Sequence, residues 1–179
     1  MTASGEPFIA AFDVATATGC ADGIAGGRPR FWTWQLSDAG KGRPSRLAYL
    51  RRFADAYFAE TKVDRVYYEG PLNIAVMMEI GASDETISLL RGAIGVLEAA
   101  AVIAGIPIIE PVPIGDARKL FCGVGRFAKG EAKTAVQARC QVLGHKVEDE
   151  HQADSLAVWY WASAHANPRA AALLPARVR

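Results

Sequence analysis

Two apolar runs in the first half of this chain each end on an acid. Residues 8–13, Phe-Ile-Ala-Ala-Phe-Asp, have the pattern of a buried strand closed by Asp13. Segments 21–27 and 30–36 read as two further strands, with Gly26, Gly27, Arg28 and Pro29 as the hairpin turn. Phe31, Trp32, Thr33 and Trp34 favour extended backbone. Over 44–62, Leu47, Leu50, Ala54, Tyr57 and Phe58 recur at helical spacing, with Pro44 near the start, which predicts an amphipathic helix. Residues 64–69 repeat the opening pattern as a strand closed by Glu69 and followed by Gly70-Pro71. Segment 72–82 has no clean period and reads as a mobile loop or broken helix containing Met77 and Met78. A long helix is expected over 83–105. Ser83 is its N-cap, Asp84 and Glu85 lie in the first turn where the dipole favours anions, and Gly105 ends it. A strand interrupted by Pro107 and Pro111 follows over 106–112, then a short helix over 114–121 and a glycine-containing loop over 122–128. Helices over 129–144 and 150–164 complete the chain, and Asn167-Pro168 stops the last.

The order β-β-β-α-β-α-β-α-α-α implies an α/β fold: three antiparallel strands, then parallel ones, in a mixed five-stranded sheet flanked by helices. No internal repeat or linker divides it. Residues 1–165 read as one domain, and 166–179 as an Ala/Arg/Pro-rich tail, disordered or loosely docked. The 51 % hydrophobic and 22 % charged content is that of a globular domain and argues against a disordered chain. No uninterrupted apolar run reaches the ~18 residues of a membrane span; the longest stretch, 92–109, is broken by Glu98, Gly105 and Pro107. Cys20, Cys122 and Cys140 form no CxxC pair, and the first residues lack an apolar secretory core, so a reducing cytoplasm is expected.

A net charge of +1 does not announce a nucleic-acid ligand, but its distribution is uneven. Lys41, Arg43, Arg46, Arg51 and Arg52 form one basic stretch without an acid. A second basic stretch runs over 116–146. Solvated surface is an equal reading for either stretch alone.

The candidate chemistry lies in the acids. Asp13 closes the first strand, Glu69 the fourth, and Asp154 sits in the first turn of the last helix. If strands one and four are neighbours, Asp13 and Glu69 emerge together. Half-buried carboxylates repel unless cations neutralise them, and hard cations with oxygen ligands, Mg²⁺ or Mn²⁺, suit such a cluster. Two ions about 3.5–4 Å apart hydrolyse a phosphodiester with neither covalent nucleophile nor organic cofactor. His151, three residues before Asp154, shares its helix face and is placed to ligate metal, orient water or act as a base. Glu148, Asp149 and Glu150 crowd the same turn, where serving the helix dipole is the favoured role.

With these positions marked, a resemblance emerges. The run 90–110, LRGAIGVLEAAAVIAGIPIIE, resembles the long helix and following strand of RuvC-type Holliday-junction resolvases. So does Arg118-Lys119 followed by Gly123-Val-Gly125 and the Lys-rich helix start over 129–133. His151-Gln-Ala-Asp-Ser-Leu-Ala-Val158 is similar to that family's last motif, acid-x-x-Asp-(Ala/Ser)-Leu-Ala. Asp13 with Thr16, Thr18 and Gly19 matches the opening strand and turn in a form closer to phage members, and Glu69-Gly-Pro stands at the strand-four glutamate. The resemblance implies a ribonuclease H-like fold, a homodimer, Mg²⁺ with Mn²⁺ as substitute, and nicking of branched DNA. Asp13, Glu69 and Asp154 would be the metal ligands, joined by His151, which stands where the commonest form has Asp. Arg118, Lys119, Arg126, Lys129 and Lys133 lie in the stretch that resembles the DNA-binding region, with Arg118 and Lys133 first choices for phosphate. Where the family often has a junction-wedging aromatic after the strand-four acid, this chain has Leu72, Asn73, Met77 and Met78. The apolar helix 83–105 would serve core, dimer interface or both. Trp159, Tyr160 and Trp161 read as core residues rather than base-stacking platforms.

Three other readings stay open. One is a junction-binding protein without catalysis, against which the intact acids argue. Another is a related nuclease that cuts flaps, hybrids or RNA. The third is an actin-like ATPase, since 13–19 loosely resembles a phosphate-binding turn, but 179 residues leave little room for its duplicated domain.

Overall fold

Along β1 (Phe8–Asp13) successive side chains face opposite ways, and the strand feeds two cores at once. Ile9 and Ala11 enter one core, Ala10 and Phe12 the other. The computed structural model describes residues 5–36, 42–70, 74–79, 81–128 and 130–168. β1 is the middle strand of five, in the order β3-β2-β1-β4-β5. β2 (Ala17–Ile24) and β3 (Arg30–Gln35) form an antiparallel meander on one side. β4 (Arg65–Glu69) and β5 (Ile108–Val112) continue the sheet in parallel on the other. This is the expected mixed sheet.

Helices cover both faces. α1 (Arg43–Glu60) and α3 (Asp84–Ile103) pack over Phe12, Trp34, Val66 and Tyr68, contributing Leu50, Ala54, Ala93 and Leu97. α4 (Ile114–Cys122), α5 (Glu131–Val142) and α6 (Glu150–Ala166) cover the opposite face with Phe121, Val136, Leu156 and Trp159. Trp159 is fully buried and Tyr160 and Trp161 pack against this core, as the sequence predicts.

Three boundaries differ from expectation. β2 begins at Ala17, not residue 21. Its small residues and Gly19 read as a turn, but a strand buried on both faces between helices needs small side chains. Within segment 72–82, read as a loop or broken helix, lies the short helix α2 (Ile74–Glu79). α3 has 20 residues and a mean hydropathy of 1.7 in its richest window, so by length and composition alone it could cross a membrane. The sequence reading stopped at Glu98, which the average tolerates. In the fold this acid accepts a hydrogen bond from the Tyr68 hydroxyl, while Gly92 lets α3 close on Leu47 of α1. Ser83 caps α3 as expected, its hydroxyl accepting the Thr86 N–H at 3.2 Å. Lys129, expected to start the next helix, lies outside the described residues; α5 begins at Glu131.

Candidate active site

β1 and β4 run parallel with Phe12 beside Tyr68, so the next residues, Asp13 and Glu69, end their strands side by side. Both continue the Ile9–Ala11 and Tyr67 rows, on the face covered by α4, α5 and α6. α6 then brings Asp154 to them. One carboxylate oxygen from each of Asp13, Glu69 and Asp154 lies within 4.8 Å of the others.

α6 reaches this position through specific local chemistry. Asp149 is its N-cap, accepting the Gln152 N–H at 2.8 Å and the Thr33 hydroxyl of β3 at 2.7 Å. The Gln152 side chain returns to accept the Glu148 N–H at 3.0 Å. Gly19, the register partner of Asp13, lies directly beneath: a Cβ built there would meet the His151 carbonyl oxygen at 1.9 Å. Thr18 closes the preceding turn through its hydroxyl to the Ala15 carbonyl at 2.8 Å. Asp149 thus serves helix placement, and Glu150 is paired to Lys133 at 2.5 Å.

The electrostatics of the cluster suit a cation. Glu69 is pushed up to about 8 by burial, then by the charges of Asp13 and Asp154. Asp154 is raised by burial, against the lowering effect of its hydrogen bonds from Arg118. His151 donates from Nδ1 to Asp13 Oδ2 at 2.8 Å, and that bond raises its pKa against the opposing effect of burial. Asp22 shows the contrast. This fully buried acid is neutralised inside the fold by Arg30 at 2.6 Å and the Tyr57 hydroxyl at 2.9 Å. The three site acids share one arginine, on Asp154, and one histidine, on Asp13, and three oxygen donors at this spacing suit a hard divalent ion.

Of the remaining sequence candidates, Arg118 lies in the site itself. Its Nε is 3.3 Å from one oxygen of Asp154 and its terminal nitrogen 3.0 Å from the other. Lys119 and Arg126 line an open hollow with Gly115, Asp116, Val124 and Gly125. Lys133 pairs with Glu150 at the start of α6. His151 reaches Asp13, but the converging set of ligand atoms among the described residues consists of the three carboxylates. In the basic stretch before α1 and along it, Arg51 is paired with Asp55 at 2.6 Å.

The sequence reading missed Arg91. It lines a cleft of about 160 Å³ with Asp13, Glu69, Met77, Leu90 and Ile94. Its signal was that it is the one basic residue of α3, three positions before Ile94. A larger cavity of about 370 Å³ between the β2–β3 hairpin and the second half of α6, lined by Arg28, His145 and Trp159, has no carboxylate in its lining and is not the acid site.

No protein-family model matches the chain, and no curated protein matches it. Solved structures do. The structure of RuvC from Thermus thermophilus aligns with a TM-score of 0.61 at 18 % identity, covering 90 % of this chain and 95 % of that one. RuvC of T. thermophilus in complex with Holliday-junction substrate gives 0.65 at 18 % identity over 92 % and 97 %. The yeast mitochondrial Holliday-junction resolvase Ydc2 gives 0.53 at 12 % identity over 93 % and 84 %. The fold is that of the RuvC resolvases, the ribonuclease H-like arrangement expected above.

Proposed function

We propose that this chain is a divalent-metal-dependent endonuclease of the RuvC type that nicks branched DNA. The observation that carries this reading is the convergence of Asp13, Glu69 and Asp154, from two parallel strand ends and one helix, within 4.8 Å. The fold supports it, and a similarly folded protein has been solved with Holliday-junction substrate.

The carboxylates fit Mg²⁺, with Mn²⁺ as substitute. Bound there, such ions supply Lewis acidity at the phosphate and a lowered pKa for water. The chain's own residues do the rest. Asp13 and Glu69 are held rigidly by the sheet, and Asp154 by the capped start of α6. His151 fixes the Asp13 carboxylate through its 2.8 Å hydrogen bond and offers its ring for a proton or an ion. Arg91 and the apolar wall of Met77, Leu90 and Ile94 form a cleft for the nucleotide beside the scissile phosphate. Lys119 and Arg126, with Lys129 and Lys133, bind flanking phosphates. A two-fold dimer places two such sites on one junction, as two symmetric nicks require; exposed Val102 and Ile103 on α3 supply apolar surface for it. Cytoplasmic residence accords with three cysteines that are all free.

The test is cleavage of a labelled four-way junction in Mg²⁺, Mn²⁺ and EDTA, with flap, linear duplex and RNA–DNA hybrid as competitors. Paired nicks in the junction with either ion and none in EDTA are expected. Preferred cutting of hybrid moves the assignment to an RNA-directed nuclease; junction binding without cutting in either ion leaves a binding protein only. The paired change Lys119→Gln with Arg126→Gln is expected to lower junction affinity and flatten its log–log salt dependence by up to about two, near one per lost phosphate contact. An unchanged salt slope removes this hollow from the DNA path.

A further inference from the structure

The guanidinium of Arg118 addresses both oxygens of Asp154, the same carboxylate that completes the acidic triad. Its side chain is 20 % exposed and that of Asp154 9 %, so the pair is poorly screened by water. A planar fork of donors fills the carboxylate's favourable directions, and a dication approaching Asp154 meets a fixed positive charge there. Arginine is also the side chain best suited to a phosphate, and Arg118 stands at the point where the scissile strand must come. A more exposed cation–carboxylate pair, Lys133 on Glu150, lies one turn away.

We propose that Arg118 competes with the divalent cation for Asp154, and that a DNA phosphate, by drawing Arg118 away, tightens cation binding at the triad. The idea rests on the metal-nuclease reading and specifies how its site is regulated: full loading is coupled to substrate. Linkage makes the effect reciprocal, so cations held at the triad also release Arg118 to the DNA backbone. An ion-poor site in the free protein and an ion-rich one on a junction follow from one salt bridge changing partners.

The experiment measures Mn²⁺ binding by titration calorimetry and by the free-ion electron paramagnetic resonance signal, without cleavage as a readout. Wild type, Arg118→Met, Arg118→Lys and Lys119→Met are compared. Arg118→Met removes the fork and its charge; Lys119→Met removes the same charge from the adjacent residue, which does not reach Asp154. Arg118→Met is expected to bind Mn²⁺ at least about fivefold more tightly than wild type, the lower end of ordinary site-to-site coupling. Arg118→Lys falls between the two, and Lys119→Met stays within about twofold of wild type. Ca²⁺, chosen as an ion expected not to support cutting, should raise affinity for a four-way junction more in wild type than in Arg118→Met. Wild-type binding that Arg118→Met and Arg118→Lys leave unchanged or weaken overturns the competition alone. An equal gain in Lys119→Met also overturns it, since general charge then suffices. Failure of wild type to bind Mn²⁺ at all overturns the metal-nuclease reading beneath it. Thermal unfolding of each variant, with and without Mn²⁺, verifies that the folded state is being compared.

Discussion

Gly19→Ala is expected to cost this protein most of its activity and a measurable part of its stability. A Cβ at this position lies 1.9 Å from the His151 carbonyl oxygen, 2.3 Å from its carbon and 3.0 Å from its Cα. These are backbone atoms, so no side-chain rotation relieves the clash. The start of α6 must retreat by roughly 1.5 Å to restore ordinary contact. Gly19 is also the register partner of Asp13, and the displaced turn carries both His151, bonded to Asp13, and Asp154. Overpacking of this kind costs ~1–3 kcal/mol, and misplacing catalytic groups by about 1 Å costs about a hundredfold in rate. Junction-cleavage rate and thermal midpoint, measured together, check both effects. A fully active Gly19→Ala protein would mean that α6 does not lie against β2 as described.

Glu69→Gln is expected to abolish cleavage while making the metal-free protein more stable above neutral pH. Exchange of one triad carboxylate for a neutral amide should slow the junction reaction at least about a thousandfold, the rate equivalent of ~4 kcal/mol. The stability change has the opposite sign. Glu69 ionises near 4.5 in the unfolded chain and at about 8 in the folded one, where burial and the charges of Asp13 and Asp154 oppose ionisation. Between those values the native state holds a proton that the unfolded chain has released, so stability falls as pH rises. By pH 8 the loss is on the order of a few kcal/mol. His151 adds a slope of the same sign. Its folded pKa is raised by Asp13, so its stabilisation is complete below the ordinary histidine value and is lost as pH climbs through the folded one. Urea unfolding in EDTA across pH 5–9 should show wild type weakening and Glu69→Gln weakening less, with the difference growing toward the alkaline end. Mn²⁺ should restore wild type far more than the variant. Equal pH slopes in the two proteins would remove Glu69 from the crowded cluster.

The sheet and the three acids were legible because their signals are local. An apolar run ending in Asp13 or Glu69, and Asp154 in the first turn of a helix, can be recognised within a few residues, and parallel pairing of β1 with β4 does the rest. What stayed hidden depends on contacts between distant segments. Nothing around Gly19 announces that the backbone of His151 will press on it. Segment 17–20 reads as a turn because glycine and small side chains look the same whether a strand is crowded or absent. Arg118 and Lys133 stand out as phosphate contacts by their place in the stretch that resembles a DNA-binding region, which carries no record of Asp154 and Glu150 opposite them. Arg91 sat within a run read for its apolar residues, and only the cleft beside Glu69 gives it a place.

The triad draws Asp13 and Glu69 from the first half of the polypeptide and Asp154 from its last helix. During translation the sheet strands therefore leave the ribosome well before the residue that completes the triad. The same helix supplies Leu156 and Trp159 to one core, so a product terminated before it lacks both a closed interior and the third carboxylate.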